Sequence, residues 1–253
     1  MKKIYKQIKF GTLANKSDKQ LYGSTIISFD IDWAPDYVLE DALTLAHKLG
    51  INPTLFLTHE SPLLKKIFRE NNYEFGLHPN FEKLLNGDAS NGRNSVEVLK
   101  RLTQCYSGVK IIRSHSLTTS SRLKALFQKN DFLIESSFIS HGTKKKFPNF
   151  WKEYSGLLHV PITWEDDVWF TLNDKDPIIH LPKILQSEKL NVLTFHPIHL
   201  YLNTTDIRHY EKSRKFLNNP QELIKLRDTK NMGVRSIFKN IGEIINGKCD
   251  AIL

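Results

Sequence analysis

Two hydrophobic rhythms take turns along the chain. Short β-branched and aromatic runs, which suit strands, give way to stretches whose apolar residues recur every three or four positions, which suit helices. STIISFDIDW, residues 24–33, follows Gly23, stops before Pro35 and reads as a strand. The next stretch places Leu39, Leu43, Ala46 and Leu49 at helical spacing with Gly50 as a C-cap. INPTLFLTH then predicts a strand, SPLLKKIFREN a helix capped by Ser61 with Pro62 in its first turn, and YEFGLHP a third strand. After the polar loop NGDASNGRN, SVEVLKRLTQCY predicts a helix with Val96, Leu99 and Leu102 on one face. VKIIRSHS, FLIESSF, LLHVPITW and NVLTFHPIHL predict further strands, with TTSSRLKALFQKN as a helix after the first of them. NNPQELIKL and VRSIFKNIGEII predict closing helices, and residues 140–156, containing KKKFPNFW, fit neither rhythm.

Seven strand-like runs interleaved with helices favour a parallel α/β barrel in a single domain, residues 23–253, behind an irregular polar leader, residues 1–22. A doubly wound sheet is the alternative, but GxGxxG and GxxxxGK[ST] are both absent, which removes the usual nucleotide-binding reasons for it. With 253 residues, 40% of them hydrophobic and 25% charged, the chain is neither disordered nor fibrous and can bury a core without disulfides or metal.

Lys+Arg 36 against Asp+Glu 27 gives a net charge of +9, which favours anionic partners mildly without naming one. The basic residues are spread out, clustering only in MKKIYKQIK and at Lys144, Lys145 and Lys146, and no nucleic-acid motif is present, so nucleic acid is not expected. Cys105 and Cys249 lie far apart without a CxxC pattern, which argues against a disulfide framework or a cysteine zinc site. No apolar h-region follows the N-terminal lysines and no stretch approaches a membrane span, so the expected location is cytoplasmic.

Candidate chemistry gathers at strand ends. Asp30 and Asp32, His78, Arg113 and His115, Asp166 and Asp167, and His196 and His199 all fall near the C-terminal ends of expected strands, the face that carries the active site of a barrel. Side chains two apart on a strand share a face, so Ser28, Asp30 and Asp32 are expected together, as are Arg113 and His115. Two neighbouring carboxylates at a buried barrel end need a cation, and a divalent metal or Arg113 could supply it. Each residue alone has a plainer reading: a solvated acid pair, a hydrogen-bonded histidine, a surface arginine, or, for Trp164, a core or stacking aromatic.

SFDIDWAPD, EFGLHP, IRSHS, WEDD and LTFHPIH, between about residues 24 and 200, resemble the ordered motifs of the polysaccharide deacetylases, the NodB-homology group or carbohydrate esterase family 4. The variant motifs are most similar to the subgroup associated with surface-polysaccharide and O-antigen biosynthesis. The resemblance implies a deformed (β/α)7 barrel and removal of N- or O-acyl groups from sugars with a divalent metal, most often zinc. It implies Asp30 as general base, Arg113 as its partner, Asp32 and His78 as metal ligands, and His196 as the acid of the final motif. Trp164, Asp166 and Asp167 fall where the fourth motif places the pocket wall and the residues that tune the acid, and His199 joins them as a substrate-binding candidate. The family pair His-x-x-x-His is broken here: four residues after His78 stands Glu82. A third protein ligand is still needed, and His115 is the expected replacement, with His199 and Glu82 as alternatives. The implied partner is a sugar nucleotide, a lipid-linked glycan or an oligosaccharide. A chain that binds glycan or scaffolds an assembly without hydrolysis is the second hypothesis.

Overall fold

The computed structural model describes residues 5–140, 148–154, 156–171, 185 and 189–247. The lysine cluster 144–146 and Cys249 lie outside the described residues. Two compact units are formed, one from Met1–Phe29, Ala34–Pro53 and Thr163–Leu253, the other from Asp30–Trp33 and Thr54–Ile162. Ten strands, β1 to β10 in chain order, occur among the described residues.

In the first unit β1 (Lys6–Gln7) pairs parallel with β2 (Ser24–Asp30), β2 with β10 (Asn191–Phe195), and β10 with β9 (Trp164–Glu165). Every residue of β2 and β10 is buried, as expected of parallel strands covered on both faces. Phe29, Phe195 and Phe238 form an aromatic cluster, with ring centroids 5.7 Å and 4.9 Å apart along the chain of contacts. Phe238 comes from the helix Val234–Ile245, which buries Val234, Ile237, Phe238 and Ile241 at helical spacing. The expected helix in that position is therefore present to the residue. Helix α1 (Asp36–Lys48) is also as expected, and Gly50 beyond it adopts φ +66°, the left-handed conformation that makes glycine a good helix stop.

The segment expected as an irregular leader contributes to this unit's core. It carries β1 and two 3-10 turns, Phe10–Asn15 and Asp18–Leu21, and fully buries Phe10, Leu13 and Leu21. Lysines surround these three anchors in the sequence and hide their spacing from a search for periodicity.

In the second unit β3 (Thr54–Leu57), β4 (Glu74–Leu77), β5 (Ile111–Ile112), β6 (Ile134–Glu135) and β8 (Leu158–His159) pair in that order, all parallel. β7 (Trp151–Lys152) runs antiparallel to β8, so the sheet is mixed where an all-parallel one was expected. The run LLHVPITW is not one strand but two, β8 and β9. Helices α2 (Pro62–Glu70), α4 (Ser95–Cys105) and α5 (Ser121–Lys129) start where side-chain oxygens of Ser61, Asn94 and Ser120 accept backbone N–H groups of Leu64, Glu97 and Leu123. On α4 the buried stripe is Val98, Leu99 and Leu102, and Val96 is exposed, because two residues of helix separate it from Val98 by more than half a turn. Among the described residues no helix is long and apolar enough to cross a membrane.

Gly76 on β4 leaves room for the Phe56 ring of β3: a Cβ there would stand 2.5 Å from two ring carbons. The ring is fully buried and cannot swing away into solvent. Gly76→Ala is expected to lower stability by about 1–3 kcal/mol in urea denaturation, the usual cost of overpacking. An unchanged midpoint would show that the ring relaxes freely.

Candidate active site

Backbone pairing carries the polar residues to the ends of the parallel strands of the second unit. The ladder continues one step past each strand: the N–H of His78 donates to Leu57 O, that of Arg113 to Leu77 O, and that of Ser136 to Ile112 O, at 2.8–2.9 Å. Ile31 N–H reaches Phe56 O at 3.2 Å, which sets Asp30 and Asp32 on either side of an anchored residue. Parallel register thus does the first part of the positioning.

Arg113 is completely buried, and its guanidinium is fully organised. Nη1 donates to Asp30 Oδ1 at 2.6 Å, Nε to the Ser136 carbonyl at 3.0 Å and Nη2 to the Ser136 hydroxyl at 3.0 Å. Its carbon lies 4.0 Å from the centre of the Phe56 ring, a cation–π contact on the remaining face. The serine partner was missed in the sequence reading. FLIESSF was seen as a strand, yet the rule that strand-end polar residues face the site applies to Ser136 as it does to Asp30.

Asp32 is not on the strand, contrary to the alternation expected from the sequence. β2 ends at Asp30, and Asp32 and Trp33 follow in the left-handed region with φ of 43° and 57°. The turn still brings the carboxylate back: Asp32 Oδ1 lies 3.2 Å from His78 Nε2 and 3.2 Å from His115 Nδ1, and Asp30 Oδ2 lies 3.7 Å from His78 Nε2. His115 also leaves the alternation, opening a 3-10 turn after Ser114. Its N–H donates to Pro79 O at 3.0 Å, which ties it to the chain just after His78.

Asp32, His78 and His115 each offer one ligand atom, and the three atoms lie within 4.8 Å of one another. The donor set suits a divalent cation. His78 Nδ1 donates to the Arg113 carbonyl at 2.8 Å, so in the neutral ring Nε2 carries the lone pair and points at Asp32. That outer hydrogen bond is the usual device by which a protein orients a histidine ligand. Glu82 stands apart from this group on helix α3 (Glu82–Leu85), where it accepts a hydrogen bond from the Ser116 hydroxyl at 2.8 Å. His199 belongs to a different group, with Asp167 and His196.

That second group lies in the first unit. Asp166, fully buried at the start of α6 (Asp166–Thr171), accepts from His196 twice: from the backbone N–H at 2.8 Å and, at Oδ1, from Nδ1 at 2.6 Å. Asp166, expected among the residues that wall the pocket and tune the acid, is buried and holds His196. His199, on the helix Pro197–Leu202, is buried and places Nε2 2.6 Å from Asp167 Oδ1, with Nδ1 3.1 Å from the Thr204 hydroxyl. Asp167 alone of these is open, its side chain half exposed. Trp164 is 1% exposed with its ring 5.1 Å from that of Phe195, the packing of a core aromatic, which is one of its two expected readings.

Removing Arg113 would leave the Asp30 carboxylate buried without its strongest partner. Arg113→Ala is expected to cost about 3–5 kcal/mol in urea denaturation, and the double change Arg113→Met with Asp30→Leu to recover much of it. A loss below about 1 kcal/mol, the level of a surface pair, would contradict the structural weight given to this contact.

The family model that matches the chain, over residues 27–214, is described as WbmS-like, polysaccharide deacetylase. The chain is also similar to the crystal structure of WbmS from Bordetella bronchiseptica, a candidate polysaccharide deacetylase involved in O-antigen biosynthesis. The two are 31% identical with a TM-score of 0.83, covering 94% of this chain and 97% of that one. More distant similarity extends to a candidate polysaccharide deacetylase from Mycobacterium smegmatis, at 14% identity and TM-score 0.48 over 98% and 96% of the two chains. A family 4 carbohydrate esterase from Bacillus anthracis matches at 13% identity and TM-score 0.41 over 81% and 78%. A comparison with curated protein sequences gives no match. The expected α/β fold, the deformed barrel of the NodB-homology type, is thereby borne out, and the chain belongs to the WbmS-like polysaccharide deacetylase family.

Proposed function

We propose that the protein is a metal-dependent hydrolase that removes an acyl group, N-acetyl in particular, from a sugar during surface-polysaccharide assembly. The observation that carries this reading is the convergence of Asp32 Oδ1, His78 Nε2 and His115 Nδ1 beside an Asp30 held by a buried arginine. His115 stands in for the histidine that the broken His-x-x-x-His pattern lacks, which favours hydrolysis over the glycan-binding alternative. The relative tied to O-antigen biosynthesis supports the surface-polysaccharide setting. On sequence pattern alone, the proposed compartment is the cytoplasm.

Zinc is the proposed ion, held by Asp32, His78 and His115. A divalent ion bound there supplies Lewis-acid polarisation of the acyl carbonyl and acidifies a water molecule. The protein's own groups do the rest. Arg113 engages Asp30 Oδ1, so Oδ2, the oxygen nearer His78, is the atom that takes the proton of the attacking water. Ser136 and Phe56 keep Arg113 from following that proton's charge, fixing the base in one orientation. His196 is the proposed proton donor to the departing amine. Asp166 holds its Nδ1, which leaves Nε2 to carry the exchangeable proton.

Two measurements test this assignment. In metal titrations, His115→Ala and His78→Ala should both weaken zinc binding by more than the 10- to 100-fold typical of losing an outer-shell partner, while Glu82→Ala leaves it unchanged. A loss in Glu82→Ala with none in His115→Ala would return the ligand role to the carboxylate. In acetate-release assays Asp30→Asn should abolish turnover while retaining metal, and Asp32→Asn should lose the metal itself. Full metal and full turnover in both variants would make the acid pair structural.

A further inference from the structure

A small open pocket in the second unit is lined by Trp33, Thr58, Pro79, Asn80, Asn91, Val98, Arg101 and Leu102. Two of these residues adjoin ligand candidates in the chain: Trp33 follows Asp32 and Pro79 follows His78. The pocket is thus joined to the Asp32, His78 and His115 group by covalent neighbours on two sides. We propose that it is the substrate subsite that recognises a sugar carrying an anionic substituent, a carboxylate or a phosphate, on the sugar bearing the acyl group or next to it. This inference rests on the deacetylase reading of the neighbouring site and names the substrate class for it.

Trp33 provides the first argument. A φ of 57° is a genuine outlier for a bulky side chain and costs about 1–3 kcal/mol. The conformation is held by its N–H, which donates to the Thr58 hydroxyl at 3.2 Å. The outcome is an indole set edge-on to the His115 ring, with centroids 5.1 Å apart and planes at 80°, and left 41% exposed. A strained backbone that presents an aromatic surface beside a site suits packing against the apolar C–H face of a sugar ring.

Charge provides the second argument. Helix α4 turns Val98, Arg101 and Leu102 toward the pocket at i, i+3 and i+4 spacing, so an apolar floor carries one guanidinium. Among the described residues, Arg101 is the single charged one in the lining and no carboxylate lines the pocket. Arg101 Nη1 donates to Asn91 Oδ1 at 3.3 Å, which orients the guanidinium, and its planar fork matches a carboxylate or phosphate. Glu97, one turn before Arg101 on α4, is paired with Arg93 at 2.8 Å, and Glu60, whose carboxyl feels the Arg101 charge, is held by Lys65 at 3.1 Å. That bond, then a Cys105 hydrogen bond, with smaller help from the charges of Lys65 and Arg101, keeps its carboxyl below the ordinary range. Asn80, Asn91 and Thr58 add amide and hydroxyl groups suited to sugar hydroxyls.

The test is calorimetric binding to the full-length, zinc-loaded protein of three probes: N-acetylglucosamine, N-acetylglucosaminuronic acid and N-acetylglucosamine 6-phosphate. At least one acidic probe should bind about tenfold or more tightly than the neutral one, the scale of a charge-assisted hydrogen bond, and the better of the two separates carboxylate from phosphate. Arg101→Gln, a change at an exposed position, should erase the preference, so that the acidic probes bind no more tightly than the neutral one. Trp33→Ala should weaken all three probes. Equal binding of all probes by the wild type, absence of binding, or a preference that survives Arg101→Gln would overturn the proposal. Acetate release is followed in the same samples. Release without an Arg101-dependent preference overturns the subsite alone, whereas the preference without release supports the subsite and overturns the deacetylase reading.

Discussion

The buried pair of Asp30 and Arg113 is the contact on which the site depends. Neither ion can stay charged in a protein interior alone, and the cost of stranding either one is several kcal/mol. The structure answers with a complete shell: Asp30 Oδ1 on one side of the guanidinium, two oxygens of Ser136 on the other, and the face of Phe56 beneath. Asp30, Phe56, Arg113 and Ser136 all belong to the second unit, so the ion pair and its partners tie that unit together locally. Gly76 is bound into the same arrangement, since it makes the room that Phe56 occupies under Arg113.

A second consequence concerns His78. The backbone carbonyl that accepts its Nδ1–H belongs to Arg113, so the residue that holds Asp30 also orients a ligand candidate. One side chain and its own peptide group thereby divide two duties of the site. His115, arriving on a turn after Ser114, meets the same Asp32 oxygen as His78 does. The assembled donors then present two imidazole nitrogens and one carboxylate oxygen, a set that a divalent cation could share.

Much of this was legible in the sequence because strand-end polar residues obey a simple rule: parallel strands deliver them to one end whatever lies between. The rule places Asp30, His78, Arg113 and His196 at or just past strand ends, and that is where they stand. At Asp32 and His115 strict alternation does not hold: left-handed and 3-10 backbone occur there instead, and the two side chains still meet. A turn of that kind has no periodic signature, and Trp33 is a residue type that gives no warning of positive φ. For Trp164 the sequence leaves a core and a pocket-wall reading open, because WEDD sets a large aromatic next to acids without showing which way each side chain turns. The N-terminal anchors Phe10, Leu13 and Leu21 were hidden by the lysines around them, since three contacts in short 3-10 turns follow neither rhythm.

The central claim is that Asp32, His78 and His115 form one metal centre. Its most direct test is a crystal structure of the zinc-loaded protein with anomalous scattering recorded on both sides of the zinc edge. The account predicts a single strong peak at about 2.0–2.2 Å from Asp32 Oδ1, His78 Nε2 and His115 Nδ1, the distances of zinc to oxygen and nitrogen ligands. A peak held by Asp167, His196 and His199, with none at the first group, would contradict it.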